Sequence, residues 1–463
     1  MPTVPVVTED GGLWLRADRS RPAQYLAPGR FGDQPLVMCA SASGFIACVA
    51  EDGSAWVWGR ELCRFFGRWT PANSTEGAEP LRLTRDLWGG SPAVMVACGR
   101  SHLLLLTAAG RVWSCGSATC GQLGHGDSPD ATPRMMLQTL TVLPLTSAVS
   151  GECRGAMVAA GMDNSVVIGT EGQIWTWGKH VAELPPVSGD LMTRTTVPKQ
   201  LDTGFLHRDT PLVVAAGDNM TMIVTTAGDL WGWGYIDDVD MCIPTRLGAR
   251  DSLGGSKALS VACGVNYVLV VTHQGALWAL RDRHDWNRED FGDGPKIVPT
   301  RIGIDARCVS VGANHANMWA TTEHGDLYTW RRPTAGDDEI IERVTDAQLH
   351  GQRFGRFQNM SIPRTLAFAM GTHARLGGQQ DAPTPQRSPH CEATSDVLFT
   401  IVQTCIEQPS GPVVKFKGIM RALGCGLTLL DRRSVPPLDS AAEPLRAAGS
   451  RRSLRLQGRS PAE

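Results

Sequence analysis

Seven glycines recur along the chain at intervals of 42 to 62 residues, each three residues before an aromatic residue. The glycines are Gly11, Gly53, Gly110, Gly172, Gly228, Gly275 and Gly325. The aromatic residues are Trp14, Trp56, Trp113, Trp175, Trp231, Trp278 and Tyr328. Glycine readily takes the positive φ of a tight turn, and an apolar segment precedes each of these glycines. The repeat therefore predicts seven β-hairpins.

Tryptophan doublets with period two follow three of these turns, so both rings of a pair lie on one face of the sheet. The doublets are Trp56 with Trp58, Trp175 with Trp177, and Trp231 with Trp233. Ten of the fourteen tryptophans belong to the aromatic strands, which favours packing between sheets over ligand binding. Seven repeated hairpin units predict an all-β fold, a seven-bladed β-propeller.

The two ends of the repeat array are incomplete in complementary ways. The first unit begins close to its turn and has little room for an upstream strand. The segment from Arg364 to Gly377, "RTLAFAMGTHARLG", is similar to the strands that precede the hairpins. We expect N- and C-terminal strands to close the ring, which removes two exposed sheet edges. The propeller is accordingly assigned to residues 1–372.

Composition places the chain among globular proteins of the cell interior. The formal net charge is −2 over 463 residues, so no whole-molecule field favours nucleic acid. The N-terminus has no basic and apolar signal-peptide pattern, and no apolar run is long enough for a bilayer. Thirteen scattered cysteines indicate a reducing compartment. We expect a monomer, cytoplasmic or nuclear, with no membrane partner and no cofactor.

The glycine-rich stretch Cys120–Pro129, "CGQLGHGDSP", has two interpretations: a phosphate-binding loop or a turn of a repeated unit. A P-loop requires a lysine followed by Ser or Thr, and the stretch contains no lysine. The chain also lacks the H-E-x-x-H and G-x-S-x-G patterns. No catalytic or metal-binding residues are predicted, although side chains gathered at the mouth of a propeller could still form an enzyme site. Cys98 and Cys263 share one repeat position, which indicates packing.

The units resemble the repeats of the regulator-of-chromosome-condensation family. The segment Val96–Pro133 matches that repeat best, at Gly99, His102, Thr107, Gly110, Val112, Trp113, Gly116, the "GQLGHGD" stretch and Pro133. The other units keep the hairpin and mostly lack this loop. The resemblance covers residues 4–372 and implies the propeller fold. At the repeat position of His102, hydrogen bonding within or between blades is expected instead of catalysis.

The resemblance also implies a protein-interaction propeller that regulates a small GTPase as a guanine-nucleotide exchange factor, with no covalent step. Acidic loop residues suit this role because they can engage the P-loop lysine of a GTPase. The candidate partner-binding residues are Asp33, His125, Asp127, Asp237, Asp238 and Asp293. The aspartates are expected to follow aromatic strands and to share one face of the ring. Ordinary polar turn chemistry is the competing interpretation.

The alternative function is a scaffold without exchange activity, in ubiquitin-linked, trafficking or chromatin assemblies. Beyond the ring, residues 373–394 are interpreted as a linker and 395–408 as a short helix, with a strand as the alternative. Residues 409–463 are interpreted as a disordered basic tail. From residue 411 onward the tail holds ten Lys or Arg and four Asp or Glu, a net charge of +6.

Overall fold

The computed structural model confirms a seven-bladed β-propeller. The residues that it describes are 4–8, 10–16, 23–42, 44–59, 80–126, 136–143, 145–147, 151–179, 194–207, 209–236, 239–248, 250–282, 297–314, 317–331 and 341–344. The predicted closing strand at 364–377 lies outside the described residues. So do the linker, the helix and the basic tail.

Blades two to seven are four-stranded antiparallel sheets, and blade one has three described strands. The inner strands of blades two to seven are Leu36–Ser41, Ala93–Cys98, Gly155–Ala160, Pro211–Ala216, Ala258–Cys263 and Cys308–Ala313. The second strands of blades one to seven are Val4–Val7, Phe45–Ala50, His102–Thr107, Asn164–Gly169, Met220–Thr225, Val268–Thr272 and Asn317–Thr322.

The third strands are the aromatic strands of the sequence repeat. They are Leu13–Arg16, Ala55–Gly59, Val112–Ser117, Ile174–Lys179, Leu230–Ile236, Leu277–Asp282 and Leu327–Arg331. The outer strands are Gln24–Leu26, Leu81–Leu83, Met136–Val142, Arg194–Gln200, Val239–Gly248, Ile297–Ile302 and Glu342–Arg343. A small hairpin of Thr146–Ser147 and Gly151–Glu152 follows blade three, and 3-10 helices precede four inner strands, at Pro28–Phe31, Arg85–Trp88, Gly204–Leu206 and Arg250–Leu253.

The seven turn glycines join the second strand of each blade to its third, with φ between 78° and 85°. The first six are also close to the next blade: a Cβ on Gly228 would lie 2.4 Å from Cβ of Lys257. The Gly53 carbonyl accepts a hydrogen bond from the Ala93 amide of blade three at 2.9 Å. The same bond joins the Gly11 carbonyl to the Leu36 amide at 2.7 Å. These positions therefore connect neighbouring blades as well as reversing the chain.

The antiparallel order gives the ring two distinct faces. The turn glycines lie on one, which we call the turn face. The inner and third strands end at the opposite face, which we call the loop face. There the amide of Ser117, at the end of a third strand, donates a hydrogen bond to the Ser101 carbonyl at 2.8 Å. The connections between outer and inner strands return to the turn face. The described connections between strands are thus assigned to a face by their place in the blade.

Blades one and seven meet through an ion pair and an apolar cluster. The buried guanidinium of Arg16 in blade one lies 3.2 Å from a Glu342 carboxylate oxygen in blade seven. The Arg16 guanidinium also donates to Oγ1 of Thr329 at 3.4 Å. Trp14 and Trp319 pack in one buried cluster beside this pair. Residues more than 300 positions apart in sequence therefore join the first blade to the last.

Candidate functional site

The described part of the glycine-rich stretch, residues 120–126, lies as a wedge between blades three and four on the loop face. We call residues 117–126 the wedge loop. The Gly126 amide donates to the Thr196 carbonyl in the outer strand of blade four at 2.7 Å. A Cβ on Gly121 would lie 2.5 Å from the Thr195 carbonyl oxygen, and Gly121 has a φ of 78°. The glycines thus let the loop backbone approach the next blade closely, and they do not surround an open phosphate-sized space.

The carbonyl of Gln122 is the point at which the wedge loop is held. It accepts hydrogen bonds from the Trp177 indole at 2.8 Å and from the Ser165 hydroxyl at 2.9 Å. The Gln122 side chain is fully buried, and its Oε1 accepts the Cys120 amide at 2.7 Å. The second tryptophan of a doublet therefore fastens the loop of the preceding blade, a role in addition to packing.

His102 occupies the repeat position that joins neighbouring blades. Its Nε2 lies 2.8 Å from the Ser165 hydroxyl oxygen in blade four. Because that hydroxyl donates to the Gln122 carbonyl, Nε2 of His102 carries the proton and donates. In blade four the corresponding Asn164 donates from Nδ2 to Thr221 of blade five at 3.1 Å. The histidine thus has the expected interior hydrogen bond. Its partner Ser165 is buried and its hydroxyl already donates to the Gln122 carbonyl, so this serine is not suited to act as a nucleophile.

The buried position of His102 makes stability depend on pH. Burial lowers its pKa to about 4, against the opposing effects of the Asp163 charge and the Asn164 backbone. In the unfolded chain the pKa is close to 6.5. Between these values the unfolded state binds the extra proton, so stability is full above pH 6.5 and falls as the pH drops toward 4.

Between about pH 7 and about pH 5, His102 should lower the unfolding free energy of the parent protein by about 2 kcal/mol. We expect the His102→Asn variant to lack this decrease. Urea unfolding followed by tryptophan fluorescence at the two pH values measures this difference. The asparagine mirrors Asn164 at the same place in blade four, so the blade contact has a precedent within the chain. Identical pH dependence in both proteins would contradict the assignment.

His125, one of the candidate partner-binding residues, lies in the wedge loop and is partly buried. Its Nε2 is 2.8 Å from the Ser114 hydroxyl, which donates to the Leu123 carbonyl at 2.8 Å. Burial lowers the pKa of His125, which favours its neutral form. The imidazole therefore supports the loop conformation, and a role in partner binding is left as a proposal.

Asp33 lies on a different face from the one expected. The outer strand Gln24–Leu26 pairs antiparallel with the aromatic strand of blade one and reverses the chain before Asp33 is reached. Asp33 consequently follows the 3-10 helix Pro28–Phe31 on the turn face, while His125 is on the loop face. It is exposed, with a φ of 57°. The prediction that Asp33 directly follows the aromatic strand of its blade is wrong, because the short outer strand Gln24–Leu26 comes between them.

The remaining candidates Asp127, Asp237, Asp238 and Asp293 lie outside the described residues. Their flanking strands are described: Ile236 pairs with Val239, so Asp237 and Asp238 join a third strand to an outer strand. Asp127 and Asp293 also fall between a third and an outer strand of their blades.

A small cavity lies at the centre of the loop face, where inner strands of six blades end. Its lining includes one or more residues from each of these blades, among them Ser41, Arg100, Met162, Asp218, Cys263 and Asn314. Asn314 of blade seven donates from Nδ2 to the Ser41 hydroxyl of blade two at 3.2 Å. The Cys98 and Cys263 thiols donate to the Ala40 and Ala215 carbonyls of the preceding blades, at 3.5 and 3.7 Å. The two thiols therefore pack neighbouring inner strands together.

A polar surface beside the wedge loop was not predicted from sequence. Lys179 Nζ lies 3.1 Å from an Asp163 carboxylate oxygen, and Arg194 donates to the Thr119 carbonyl at 3.0 Å. The register pairs Lys179 with Arg194 directly. Within the described ranges no cluster of three or more His, Cys, Asp or Glu residues could hold a metal ion, and no helix there is long and apolar enough to cross a membrane.

Comparison with known proteins gives a consistent family relationship. The model of the regulator of chromosome condensation (RCC1) repeat matches residues 94–122, which include the first part of the wedge loop. The ultraviolet-B receptor UVR8 of Arabidopsis thaliana is 27% identical over 357 residues, which cover 73% of this chain and 74% of the receptor. The human E3 ubiquitin-protein ligase HERC2 is 29% identical over 305 residues, 61% of this chain but only 6% of the ligase.

Solved structures show the same fold. The Prp20p structure from Saccharomyces cerevisiae, described together with binding to Gsp1p and histones, aligns with a TM-score of 0.54 at 19% identity. The alignment covers 74% of this chain and 86% of that one. Human WBSCR16 also aligns with a TM-score of 0.54 at 19% identity, over 70% of this chain and 84% of that one. At these identities the likeness concerns architecture alone.

Proposed function

Because the chain belongs to the regulator-of-chromosome-condensation repeat family, as a divergent member, we propose that it is a protein-interaction propeller that binds a small GTPase through its loop face and promotes guanine-nucleotide exchange. The similarity to Prp20p, which is described with its binding to Gsp1p, supports a GTPase as the partner. The fold of this chain favours the loop face as the binding surface.

The distribution of loop lengths carries the proposal. Between second and third strands only four or five residues intervene in every blade, all on the turn face. Between third and outer strands 2 to 21 residues intervene, and the strand ends that these connections join lie on the loop face. This range is wider than that of the outer-to-inner connections on the turn face, which have 5 to 12 residues. Connections of varied length on a rigid scaffold are typical of recognition surfaces, because the scaffold holds their ends while their sequences can differ. The loop face is therefore the better candidate for partner binding.

Exchange requires no covalent chemistry of the propeller. A factor accelerates nucleotide release when it binds the nucleotide-free GTPase more tightly than the loaded form, so that partner binding shifts the equilibrium toward release. Carboxylates on the loop face can engage the phosphate-binding lysine of the GTPase in place of the nucleotide. Asp237 and Asp238, between Ile236 and Val239, are proposed for this role.

The test is a release assay with a panel of purified small GTPases loaded with fluorescent GDP. We expect micromolar full-length protein to accelerate release from at least one member, and Asp237→Asn with Asp238→Asn to reduce that acceleration. Asp33→Asn is the matched control, because Asp33 is an exposed aspartate on the turn face. Unchanged release across the whole panel would exclude exchange activity.

A scaffold without exchange activity is the second proposal. The similarity to a segment of HERC2, an E3 ubiquitin-protein ligase, and the wedge loop's structural role favour it, because a loop that fastens blades need not act on a nucleotide. In that case a pull-down with the full chain should retain a partner whose GDP release is unaffected. Substitutions on the loop face, but not Asp33→Asn, should then weaken its capture.

A further inference from the structure

Three basic side chains from blades three and four lie on the loop face. We call Arg100, Lys179 and Arg194 the basic patch. The amide of Arg100 donates to the Gly161 carbonyl at 3.2 Å, which places it against the loop that carries Asp163. Asp163 pairs with Lys179, and Lys179 is the register partner of Arg194. The patch thus extends from the central cavity outward to the edge of blade four.

Two of the three cations in the patch have no carboxylate partner within the described part of the chain. Arg100 and Arg194 are exposed, and Arg194 donates to a neutral carbonyl, that of Thr119. Only Lys179 is paired, so these three cations and Asp163 carry a net charge of +2. Burial alone would lower the pKa of Lys179, but the hydrogen bond and charge of Asp163 raise it, and the ammonium stays protonated.

Outer-strand arginines near the turn face provide the contrast. In blades two, five and seven each is neutralised by an aspartate of the adjacent turn. The pairs are Arg82 with Asp52 at 3.0 Å, Arg246 with Asp229 at 2.6 Å and Arg343 with Asp326 at 2.8 Å. That arrangement repeats with the fold. The fold does not demand the basic patch, since blades four and five have Met162 and Asp218 at the position of Arg100.

The surroundings hold the patch in a defined geometry. The Thr119 carbonyl that positions Arg194 belongs to the wedge loop, which is fastened through Gln122 to Trp177 and Ser165. A guanidinium that is already oriented loses less conformational entropy when it binds a carboxylate, and its remaining N–H groups can be bidentate donors.

We propose that the basic patch binds an acidic segment of the protein partner, through carboxylates that pair with Arg100 and Arg194. This inference rests on the proposed function only in taking the loop face as the partner surface. It adds the chemistry of the partner: a protein surface rich in Asp and Glu faces blades three and four.

The probe is a fluorescein-labelled deca-glutamate peptide, and its binding to the full-length protein is measured by fluorescence anisotropy at about 50 mM and about 200 mM salt. We expect Arg100→Glu with Arg194→Glu to weaken binding about tenfold, and higher salt to reduce the difference. The control is Arg82→Glu with Arg246→Glu, which changes the net charge equally on outer strands near the turn face. The basic tail is present in all proteins compared.

A loss of less than threefold in the control, with the tenfold loss in the patch variant, supports the proposal. Equal losses in both, or no binding by the parent, overturn it. Tighter binding of a labelled single-stranded oligonucleotide that the patch variant also loses overturns the assignment to an acidic protein. Thermal unfolding and the milder Arg100→Gln with Arg194→Gln variant verify that binding loss is not misfolding. GDP release is measured in a separate assay. A protein without exchange activity can therefore still bind the peptide through the basic patch, and a protein that does not bind the peptide can still promote exchange.

Discussion

Gly161→Ala should lower the free energy of unfolding by about 3 kcal/mol, because the new methyl group meets backbone of the next blade. A Cβ at Gly161 would lie 2.0 Å from the Gly217 carbonyl oxygen and 2.1 Å from Oδ1 of Asn164. That carbonyl also accepts the Met162 amide at 3.3 Å, so blades four and five would have to separate and lose this bond. Chemical denaturation followed by tryptophan fluorescence measures the effect.

Gly303→Ala is the matched control for that experiment. A Cβ at Gly303 has no atom within 4 Å, and its backbone is outside the left-handed region. The same added methyl group should therefore change stability by no more than about 0.5 kcal/mol. If both variants lost the same stability, steric contact between blades would not be the reason that Gly161 is glycine.

Arg16→Ala should cost about 2 to 3 kcal/mol, because it removes a buried guanidinium from the junction of blades one and seven. The carboxylate of Glu342 and the hydroxyl of Thr329 would lose their shared donor. Glu342 is 30% exposed and can regain some hydration, so the cost should lie below that of a fully buried pair. In the Arg16→Ala variant we expect faster amide hydrogen exchange in Val4–Val7 and Asn317–Thr322 than in blades three to five, which lie far from the junction.

Arg82→Ala is the control for Arg16→Ala. It tests whether the loss of unfolding free energy depends on the place of the arginine in the ring and not on removal of an arginine as such. Arg82 is 51% exposed and pairs with Asp52 within blade two at 3.0 Å. Exposed pairs contribute little, so the change should stay within about 0.5 kcal/mol. A cost for Arg16→Ala that does not exceed this control would show that the junction does not depend on its ion pair.

Much of the architecture follows from local sequence patterns, so it can be predicted from the amino-acid sequence. The turn glycines and the aromatic residues three positions later predict hairpins, because positive φ and alternation are local properties of the chain. Cys98 and Cys263 were correctly assigned to packing, since the same position in two blades meets the same surroundings. The wedge loop was recognised as a turn of a propeller and not a phosphate site because its lysine is absent.

The candidate site was less predictable, because it depends on which strand comes between two residues. Asp33 seemed to follow an aromatic strand, yet the three-residue strand Gln24–Leu26 returns the chain to the turn face. Short strands have a weak sequence signal, so the face of a nearby residue is easily assigned wrongly. The basic patch was missed for a related reason: Arg100 and Lys179 are distant in sequence and belong to neighbouring blades of the same face.

The number of blades, the position of the tight turns and the aromatic strands can be predicted from sequence, because each depends on a repeat that is local and periodic. Tertiary structure alone decided which residues meet between blades. Arg16 and Glu342 are brought together by closure of the whole ring, and Arg194 is oriented by a carbonyl of the wedge loop. Such contacts depend on the accumulated rotation of many blades, for which no single segment of the chain carries a signal.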